Sequence, residues 1–293
     1  MTGTSAGNPL SGAENIIRLL PRRPLDMHKG DRGRLLVAGG SGHYPGAPSL
    51  SALGALRSGA GVVTLLSLPQ VCAACAARLP EAVFWPAENV GDWLDLALDG
   101  APSNAAAVVG PGLERSEEAQ DFVTGMWKRW PHPLLVDGDG LFALAEKGKD
   151  LPPREDTLLT PHEGEAARLL GTTPGAVCSG REEAVRALAD RWGGTVLLKG
   201  HGTLIARRGD KIIHRLDWGG PELAVPGSGD VLSGCIGALL AAGLNPLDAA
   251  RLGGALHGMA GERLAGDGVD GVLASEIAGA LRAVLHGLRR LAV

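Results

Sequence analysis

Residues 106–140 read AAVVGPGLERSEEAQDFVTGMWKRWPHPLLVDGDG, and this stretch contains the unit from which the fold is built. A short apolar run that ends in glycine, 106–112, is followed by a helical pattern over 116–130 and a second apolar run over 133–140. Both runs are hydrophobic on successive residues, which is typical of strands buried on both faces of a sheet. A strand, a helix and a strand in this order predict two parallel strands joined by a crossover helix.

Similar units lie on both sides of this stretch. Further strand candidates cover residues 34–40, 61–68, 157–161 and 195–200, and further helical patterns cover residues 49–59, 164–171, 181–193, 246–265 and 272–291. Two more strand-like runs, 203–209 and 211–217, flank Gly209-Asp210 and predict a hairpin at the edge of the sheet. The alternation predicts an α/β fold with a doubly wound, mostly parallel sheet flanked by helices on both faces.

The composition excludes several classes of protein. The chain has 293 residues, a net charge of -4 and no basic patch in its sequence, so we expect no nucleic-acid partner. No run of about 18 apolar residues suggests a membrane span, and the N-terminus does not resemble a signal peptide. The four cysteines are too few for a disulfide scaffold, and Cys72-x-x-Cys75 lies in an alanine-rich helical context. We therefore expect a cytoplasmic protein with one domain over residues 14–293 and a disordered segment over 1–13.

Polar residues and glycines follow several of the predicted strands. Asp137-Gly138-Asp139 ends one strand candidate, TPHEGE at 160–165 ends the next, and LKGHGT at 198–203 ends a third. In open parallel sheets, ligands bind beyond the carboxyl ends of the strands. These loops therefore predict a shared site at one end of the sheet.

A turn of small residues leads directly into an apolar helix at 224–244, AVPGSGDVLSGCIGALLAAGL. The N-terminus of a helix presents unpaired N–H groups and a partial positive charge, and glycines let a phosphate approach them. In that hypothesis Asp230 takes a proton from a substrate hydroxyl. The alternative is that Asp230 only caps the helix, and this stretch alone leaves both interpretations open.

The segment TPHEGE carries two further candidates. His162 and Glu165 fall in the first turn of a predicted helix, where His162 would bind substrate and Glu165 would bind Mg²⁺ or its water. The alternative for Glu165 is again that it only stabilises the start of the helix. The alternative for LKGHGT is that it is an ordinary hairpin turn. The other histidines lack metal-like spacing and are interpreted as structural or surface residues: His28, His43, His132, His201, His214, His257 and His286.

Taken in order, these motifs resemble the ADP/ATP-dependent NAD(P)H-hydrate dehydratases of the ribokinase-like superfamily. The resemblance covers residues 14–290 and rests on KGDRGRLLVAGG, GAPSLSALGALRSGAGVVTL, VVGPGL, LLVDGDGL, LLTPHEGEAARLLG, VLLKGHGT, PGSGDVLSGCIGALLAAGLNPLDAA and ALHGMAGE. Nothing in the sequence corresponds to the epimerase domain that often precedes the dehydratase in this family. The resemblance therefore implies a stand-alone dehydratase.

The resemblance implies a reaction that repairs damaged cofactors. The S epimer of hydrated NADH or NADPH would be phosphorylated on its hydroxyl by ADP, giving AMP, or by ATP. Elimination of phosphate would then restore the double bond. The family also implies Mg²⁺, a separate NAD(P)H-hydrate epimerase in the same pathway, and a homo-oligomer that is a tetramer.

Site residues are carried over by position from the family motifs. The hydrate would lie near Ala47, Gly112 and His162, with Asp230 as the base. The nucleotide would lie on Lys199, Gly200, His201, Gly202, Thr203, Gly227, Ser228 and Gly229. Glu165 would match the acidic position that related kinases use near Mg²⁺.

Three departures from the family motifs concern the loops. Gly138 replaces an alanine between the two aspartates, and Pro226 begins a turn that is usually Gly-Gly-Thr-Gly-Asp, so one backbone N–H is missing. An Asn that commonly precedes this turn is replaced by Gly220 or Pro221.

Two alternative functions are considered. One is a kinase of the same superfamily acting on a vitamin precursor or a sugar, and the other is a non-catalytic nucleotide-binding protein. His162 favours the dehydratase, because vitamin-type kinases tend to carry Asn there. Retention of Asp230, Lys199 and Glu165 argues against a loss of catalysis.

Overall fold

The computed structural model describes residues 13–24, 26–266 and 268–292. The strands are β1 (Arg34–Ala38), β2 (Val62–Ser67), β3 (Val83–Pro86), β4 (Ala106–Val109), β5 (Leu134–Val136), β6 (Thr157–Leu159), β7 (Thr195–Leu198), β8 (Thr203–Arg207) and β9 (His214–Leu216). The helices are α1 (Glu14–Ile17), α2 (Gly46–Ser58), α3 (Pro69–Ala76), α4 (Trp93–Gly100), α5 (Glu117–Arg129), α6 (Asp139–Lys147), α7 (Glu163–Leu170), α8 (Pro174–Ser179), α9 (Arg181–Trp192), α10 (Ser228–Ala241), α11 (Pro246–Ala265) and α12 (Ala274–Leu291).

The strands form one sheet with the order β3-β2-β1-β4-β5-β6-β7-β8-β9. Neighbours from β3 to β7 are parallel, and β8 and β9 add an antiparallel edge. The chain begins at β1, moves to the β3 edge and then returns past β1 to β4. The strand order therefore reverses between β1 and β4, where open sheets form a crevice that binds ligands.

Helices cover both faces of the sheet, as predicted. Alternate residues of β1 face opposite sides, so that Leu35 and Val37 belong to one buried cluster and Leu36 and Ala38 to the other. The first cluster also contains residues of α2, α3, α10, α11 and α12. The second contains residues of α4, α5, α6, α7, α8 and α9. This arrangement confirms the doubly wound α/β prediction.

Small residues bring α2 and α10 into close contact. A Cβ on Gly234 would collide with the Ser51 carbonyl oxygen, and a Cβ on Gly54 would collide with the Val231 carbonyl oxygen. The hydroxyls of Ser51 and Ser233 lie 3.3 Å apart between the same helices. The small side chains of α10 therefore allow its backbone to pack closely against that of α2.

Several element boundaries differ from those predicted. The strand predicted over 133–140 ends at Val136, because the chain turns at Gly138, whose φ is 55°, and begins α6 at Asp139. In the hairpin at the sheet edge, Ile205 pairs with His214, so residues 211–213 belong to the connection.

Other elements lack a strong sequence pattern. The short strand β3 and helix α4 are absent from the predicted elements, and β3 is an edge strand that ends in proline. By contrast, α11 begins at Pro246, as predicted, with the Asn245 side chain accepting a hydrogen bond from Asp248 N at 3.1 Å. Residues 1–12 of the predicted disordered segment lie outside the described residues, and Ala13 is buried.

Candidate active site

A cluster of polar side chains lies beyond the carboxyl ends of β5, β6 and β7. Lys199 Nζ is 3.0 Å from Asp137 Oδ1 and 3.5 Å from Glu165 Oε2. Thr160 Oγ1 donates to Asp137 Oδ1 at 2.8 Å. Burial alone would lower the pKa of Lys199, but Asp137, Glu165 and Asp230 together hold that pKa above its ordinary value. Lys199 is therefore a charged ammonium that partly neutralises a group of carboxylates.

Asp230 lies at the third position of α10 and is not its cap. The N-cap is Gly227, with a φ of 85° and no side-chain capping bond. In the described part of the chain, no hydrogen bond or ion pair engages the Asp230 carboxylate, whereas Asp137 is paired with Lys199. Burial, followed by repulsion from Asp137, raises the pKa of Asp230 to about 8, and attraction to Lys199 offsets part of the rise. The carboxylate is free to exchange a proton near neutral pH.

The turn before Asp230 presents unpaired backbone donors. Ser228 N donates to Val225 O and Val231 N donates to Gly227 O, but over the described residues Gly229 N and Asp230 N have no backbone partner outside regular helix bonding. A Cβ on Gly229 would lie 3.3 Å from Lys199 Nζ, so the turn and the ammonium group are adjacent. This arrangement suits a phosphoryl group with developing negative charge.

His162 and Glu165 form a capping box at the start of α7. His162 Nδ1 accepts from Gly164 N at 3.0 Å and Glu165 N at 3.3 Å, while His162 N donates to Glu165 Oε2 at 2.8 Å. The capping alternative is therefore part of the structure. The same Glu165 carboxylate also approaches Lys199, which joins this helix start to the acidic cluster.

A cavity of about 810 Å³ adjoins the cluster, and most of the predicted nucleotide-binding residues line it. Those that line it are Lys199, Gly200, His201, Thr203, Ser228 and Gly229. His162 lines it as well, together with Pro226, whose missing N–H marks the departure from the family turn. Gly202 and Gly227 are not among the lining residues. LKGHGT connects the antiparallel strands β7 and β8, so it is both a hairpin turn and a cavity wall.

The other two predicted substrate residues contact each other at the switch point of the sheet. A Cβ on Gly112 would lie 2.9 Å from Ala47 Cβ and 2.8 Å from Tyr44 Cβ, so these loops are closely packed. His43 Nδ1 lies 2.7 Å from Glu114 Oε1 and links the same two loops. Leu50, about one turn after Ala47 in α2, contacts Gly227 of the α10 turn. Helix α2, whose first turn contacts the loop after β4, thus also packs against the turn that carries Asp230.

Two residues of the site were not identified from the sequence. His257, interpreted there as structural or surface, is buried, and its Nε2 lies 3.0 Å from Ser228 O and 3.1 Å from Ser228 Oγ. Burial lowers the pKa of His257 to about 4, so the ring is neutral. Its contacts with Ser228 stabilise the α10 turn. Only its position beside the small residues of ALHGMAGE hinted at this role.

Arg181 holds the LKGHGT loop. Its guanidinium group pairs with Glu163 and lies 3.3 Å from Leu198 O, 3.4 Å from Lys199 O and 3.5 Å from Gly202 O. Nothing in the sequence spacing connects the first residue of α9 with this loop.

The acidic side chains of the site fit a magnesium ion that they contact through water rather than directly. Within residues 13–24, 26–266 and 268–292, no group of three or more His, Cys, Asp or Glu side chains is arranged to hold a metal ion. Glu165 is already engaged by His162 N and lies near Lys199. Magnesium commonly keeps several waters and is held largely by substrate phosphates. The donor set fits an ion that nucleotide phosphates hold and that Glu165 reaches through water.

The fold and the site define a class of enzyme that binds a nucleotide in a ribokinase-like α/β domain. A family model described as NAD(P)H-hydrate dehydratase matches residues 35–282. The chain belongs to the NAD(P)H-hydrate dehydratase family, which confirms the resemblance drawn from its motifs. Among the described helices, none has the length and apolar character needed to cross a bilayer.

Individual relatives agree with this assignment. The ADP-dependent (S)-NAD(P)H-hydrate dehydratase of Neisseria meningitidis serogroup B is 37% identical, with 96% of this chain and 95% of the relative covered. The ADP/ATP-dependent NAD(P)H-hydrate dehydratase of Bacillus subtilis, co-crystallised with ATP/Mg²⁺, has a TM-score of 0.82 at 31% identity, covering 94% and 96% of the two chains. A ribokinase-like superfamily protein of Enterococcus faecalis has a TM-score of 0.84 at 25% identity, covering 94% of each chain.

Other relatives are longer. The bifunctional NAD(P)H-hydrate repair enzyme Nnr of Thermanaerovibrio acidaminovorans is 42% identical over 94% of this chain, which covers 55% of the relative. The chain spans about half the length of several such bifunctional relatives.

Proposed function

We propose that this chain catalyses the ADP-dependent dehydration of the S epimer of hydrated NADH and NADPH, giving AMP and phosphate. The observation that carries the proposal is the Asp230 carboxylate, which has a raised pKa and no bonding partner in the described chain, next to the free N–H groups of the α10 turn. The name and coverage of the Neisseria meningitidis relative support the choice of substrate and nucleotide.

In the first step, Asp230 takes the proton of the hydrate hydroxyl while that oxygen attacks the terminal phosphorus of ADP. The new O–P bond forms as the bond from phosphorus to the bridging oxygen breaks, and AMP leaves. The N–H groups of Gly229 and Asp230 and the Lys199 ammonium face the charge that develops on the phosphoryl oxygens. Asp230 then releases its proton to solvent before the next turnover.

In the second step, the phosphate leaves with the electrons of its C–O bond. A proton passes from the neighbouring carbon to water, and the nicotinamide double bond is restored. Phosphorylation assists this step because phosphate is a far better leaving group than hydroxide. The loops that carry Ala47, Gly112 and His162 hold the hydrate against Asp230 in this proposal.

The nucleotide occupies the cavity formed by LKGHGT and the α10 turn. In this proposal the nucleotide lies on residues 199–203, of which Lys199, Gly200, His201 and Thr203 line the cavity, and the turn over Gly227, Ser228 and Gly229 binds its phosphates. Magnesium would supply positive charge that neutralises the phosphates, and Glu165 would help to hold it through a water. The cavity volume of about 810 Å³ supports a nucleotide-sized occupant.

The finer assignments are also proposals. ADP is the donor proposed here, although the Bacillus subtilis neighbour is described as ADP/ATP-dependent. The existence of bifunctional repair enzymes among the relatives supports a separate epimerase that supplies the S epimer to this protein. A homotetramer remains the proposed assembly, on the family resemblance alone.

The proposed reaction is tested by incubating the protein with chemically hydrated NADH, Mg²⁺ and either ADP or ATP. Recovery of the absorbance of reduced nicotinamide is expected, with ADP as the more effective nucleotide. Accumulation of a phosphorylated hydrate without NADH would indicate a kinase instead. No consumption of the hydrate with either nucleotide would contradict the proposed function.

A further inference from the structure

A basic pocket lies far from the nucleotide cavity, at the C-terminal ends of α2, α10 and α12. Four arginines and one aspartate are among the residues that line it: Arg22, Arg23, Arg32, Arg289 and Asp31. Its volume is about 40 Å³, which exceeds the roughly 10–15 Å³ that one water molecule requires. The space therefore suits a small ion of several heavy atoms and excludes a nucleoside.

Three of these guanidinium groups are close enough to repel one another. Burial, followed by the charges of Arg289 and Arg32, lowers the pKa of Arg23, and burial and Arg32 lower that of Arg289. Asp31 Oδ2 accepts a hydrogen bond from His28 N, and in the described chain none of these arginines forms an ion pair. Like charges held together in this way favour an anion between them.

Unsatisfied polar atoms inside the pocket point in the same direction. Arg289 Nε is buried without a hydrogen-bond partner, although Nη2 of the same group donates to Pro21 O at 3.1 Å. The buried hydroxyl of Ser58, which also lines the pocket, has no partner within hydrogen-bond distance but lies beside the buried thiol of Cys235, so Arg289 Nε is the donor that lacks any acceptor. A buried donor without an acceptor is costly, so Arg289 Nε fits a site that a ligand completes.

The backbone accommodates this arrangement at Gly59. A Cβ there would collide with the Arg23 guanidinium, and the glycine has a φ of 98°. Helix C-termini attract arginines without any ligand, because their carbonyl groups are acceptors. Such capping does not satisfy Arg289 Nε, which has no carbonyl partner in the described residues.

We propose that this pocket binds a small tetrahedral oxyanion of the inorganic phosphate class, held by the guanidinium groups of Arg23, Arg32 and Arg289. The guanidinium donors match the oxygens of such an ion, and each charge-assisted bond is stronger than a neutral one. The site is independent of the proposed dehydration reaction. It is separated from Asp230 by the length of α10, since Ala238, Leu239 and Ala242 line the pocket.

The test is calorimetric titration of the full chain with inorganic phosphate at constant ionic strength. Arg23→Gln and Arg289→Gln should each weaken binding about tenfold, the effect of losing one charge-assisted hydrogen bond. Arg290→Gln is the matched control, because Arg290 is the exposed neighbour of Arg289 on α12 and does not line the pocket. Equal phosphate affinity in the three variants and the parent protein would overturn the proposal.

Two further arms separate this site from others. Lys199→Met should weaken phosphate binding in the nucleotide cavity and leave the basic pocket intact. AMP titrated into that variant should not compete for the pocket, and competition would refute a site for the free ion. Melting temperatures distinguish capping: if Arg23→Gln and Arg289→Gln lower the melting temperature equally with and without phosphate, the arginines act only on the helix ends and the proposal fails.

Discussion

The two ends of α10 have opposite electrostatic surroundings. At the N-terminal end, Asp137, Asp139 and Glu165 all act to raise the pKa of Asp230, and Lys199 is the cation that offsets them. At the C-terminal end, Arg23, Arg32 and Arg289 surround a small pocket. The helix dipole favours negative charge at the first end and positive charge at the second. At each end burial, followed by repulsion between like charges, shifts the pKa values: that of Asp230 is raised, and those of Arg23 and Arg289 are lowered.

The largest expected effect comes from removing the proposed base at the N-terminal end. Asp230→Asn should reduce turnover at least about a hundredfold while nucleotide binding is retained, because the amide cannot accept the hydroxyl proton. The measurement is steady-state kinetics on hydrated NADH together with nucleotide titration. Asp150→Asn, at an exposed position outside the site, is the control. Near-normal turnover in Asp230→Asn would refute the role of the base.

The second effect tests whether the middle of α10 fixes both ends. Gly234→Ala should lower the free energy of unfolding by about 1–3 kcal/mol, because its Cβ would collide with Ser51 O. Gly279→Ala is the matched control in α12, where a Cβ meets open space, and it should raise that free energy by about 0.4–1 kcal/mol. Urea unfolding measures both. Similar stabilities for the two variants would show that α2 and α10 can move apart at little energetic cost.

A smaller effect is expected from His257, which contacts the α10 turn at Ser228. His257→Leu should raise the KM for nucleotide about tenfold, since Ser228 O loses its buried donor. His257→Gln should recover part of that loss because its amide N–H can donate. His286→Gln, on the exposed side of α12, should have no effect. A change in kcat without a change in KM would indicate that His257 acts in the chemical step.

The last prediction concerns the pH dependence of stability. The pKa of Asp230 is raised from about 4 in the unfolded chain to about 8 in the folded protein. The stability that the protonated Asp230 contributes is therefore fully present below about pH 4, and it is lost as the pH rises through about 8. Asp230→Asn lacks this titration. Its melting temperature should therefore exceed that of the parent by an amount that grows from pH 4 to pH 8 and then stays level. A constant difference across this range would contradict the raised pKa.

The sequence predicts the fold better than it predicts the site. Buried parallel strands and helix starts with their own caps leave local signals, as the apolar run of β4 and Asn245-Pro246 show. The pairing of Lys199 with Asp137 joins loops from separate strands, so no local spacing encodes it. Arg181 and His257 act on backbone carbonyl groups, which have no sequence signature.

The capping bonds at His162 also determine what a ligand can meet there. Nδ1 accepts from two backbone N–H groups, so the hydrogen-bond network assigns the proton of the neutral ring to Nε2. The imidazole tautomer is thus fixed by the start of α7: the ring has no free acceptor, and its Nε2 donor lies 3.5 Å from Glu165 Oε1. A group bound against it must supply an oxygen lone pair, as the carboxamide carbonyl of a nicotinamide does. Asparagine at this position, with its rotatable amide, would present either polarity.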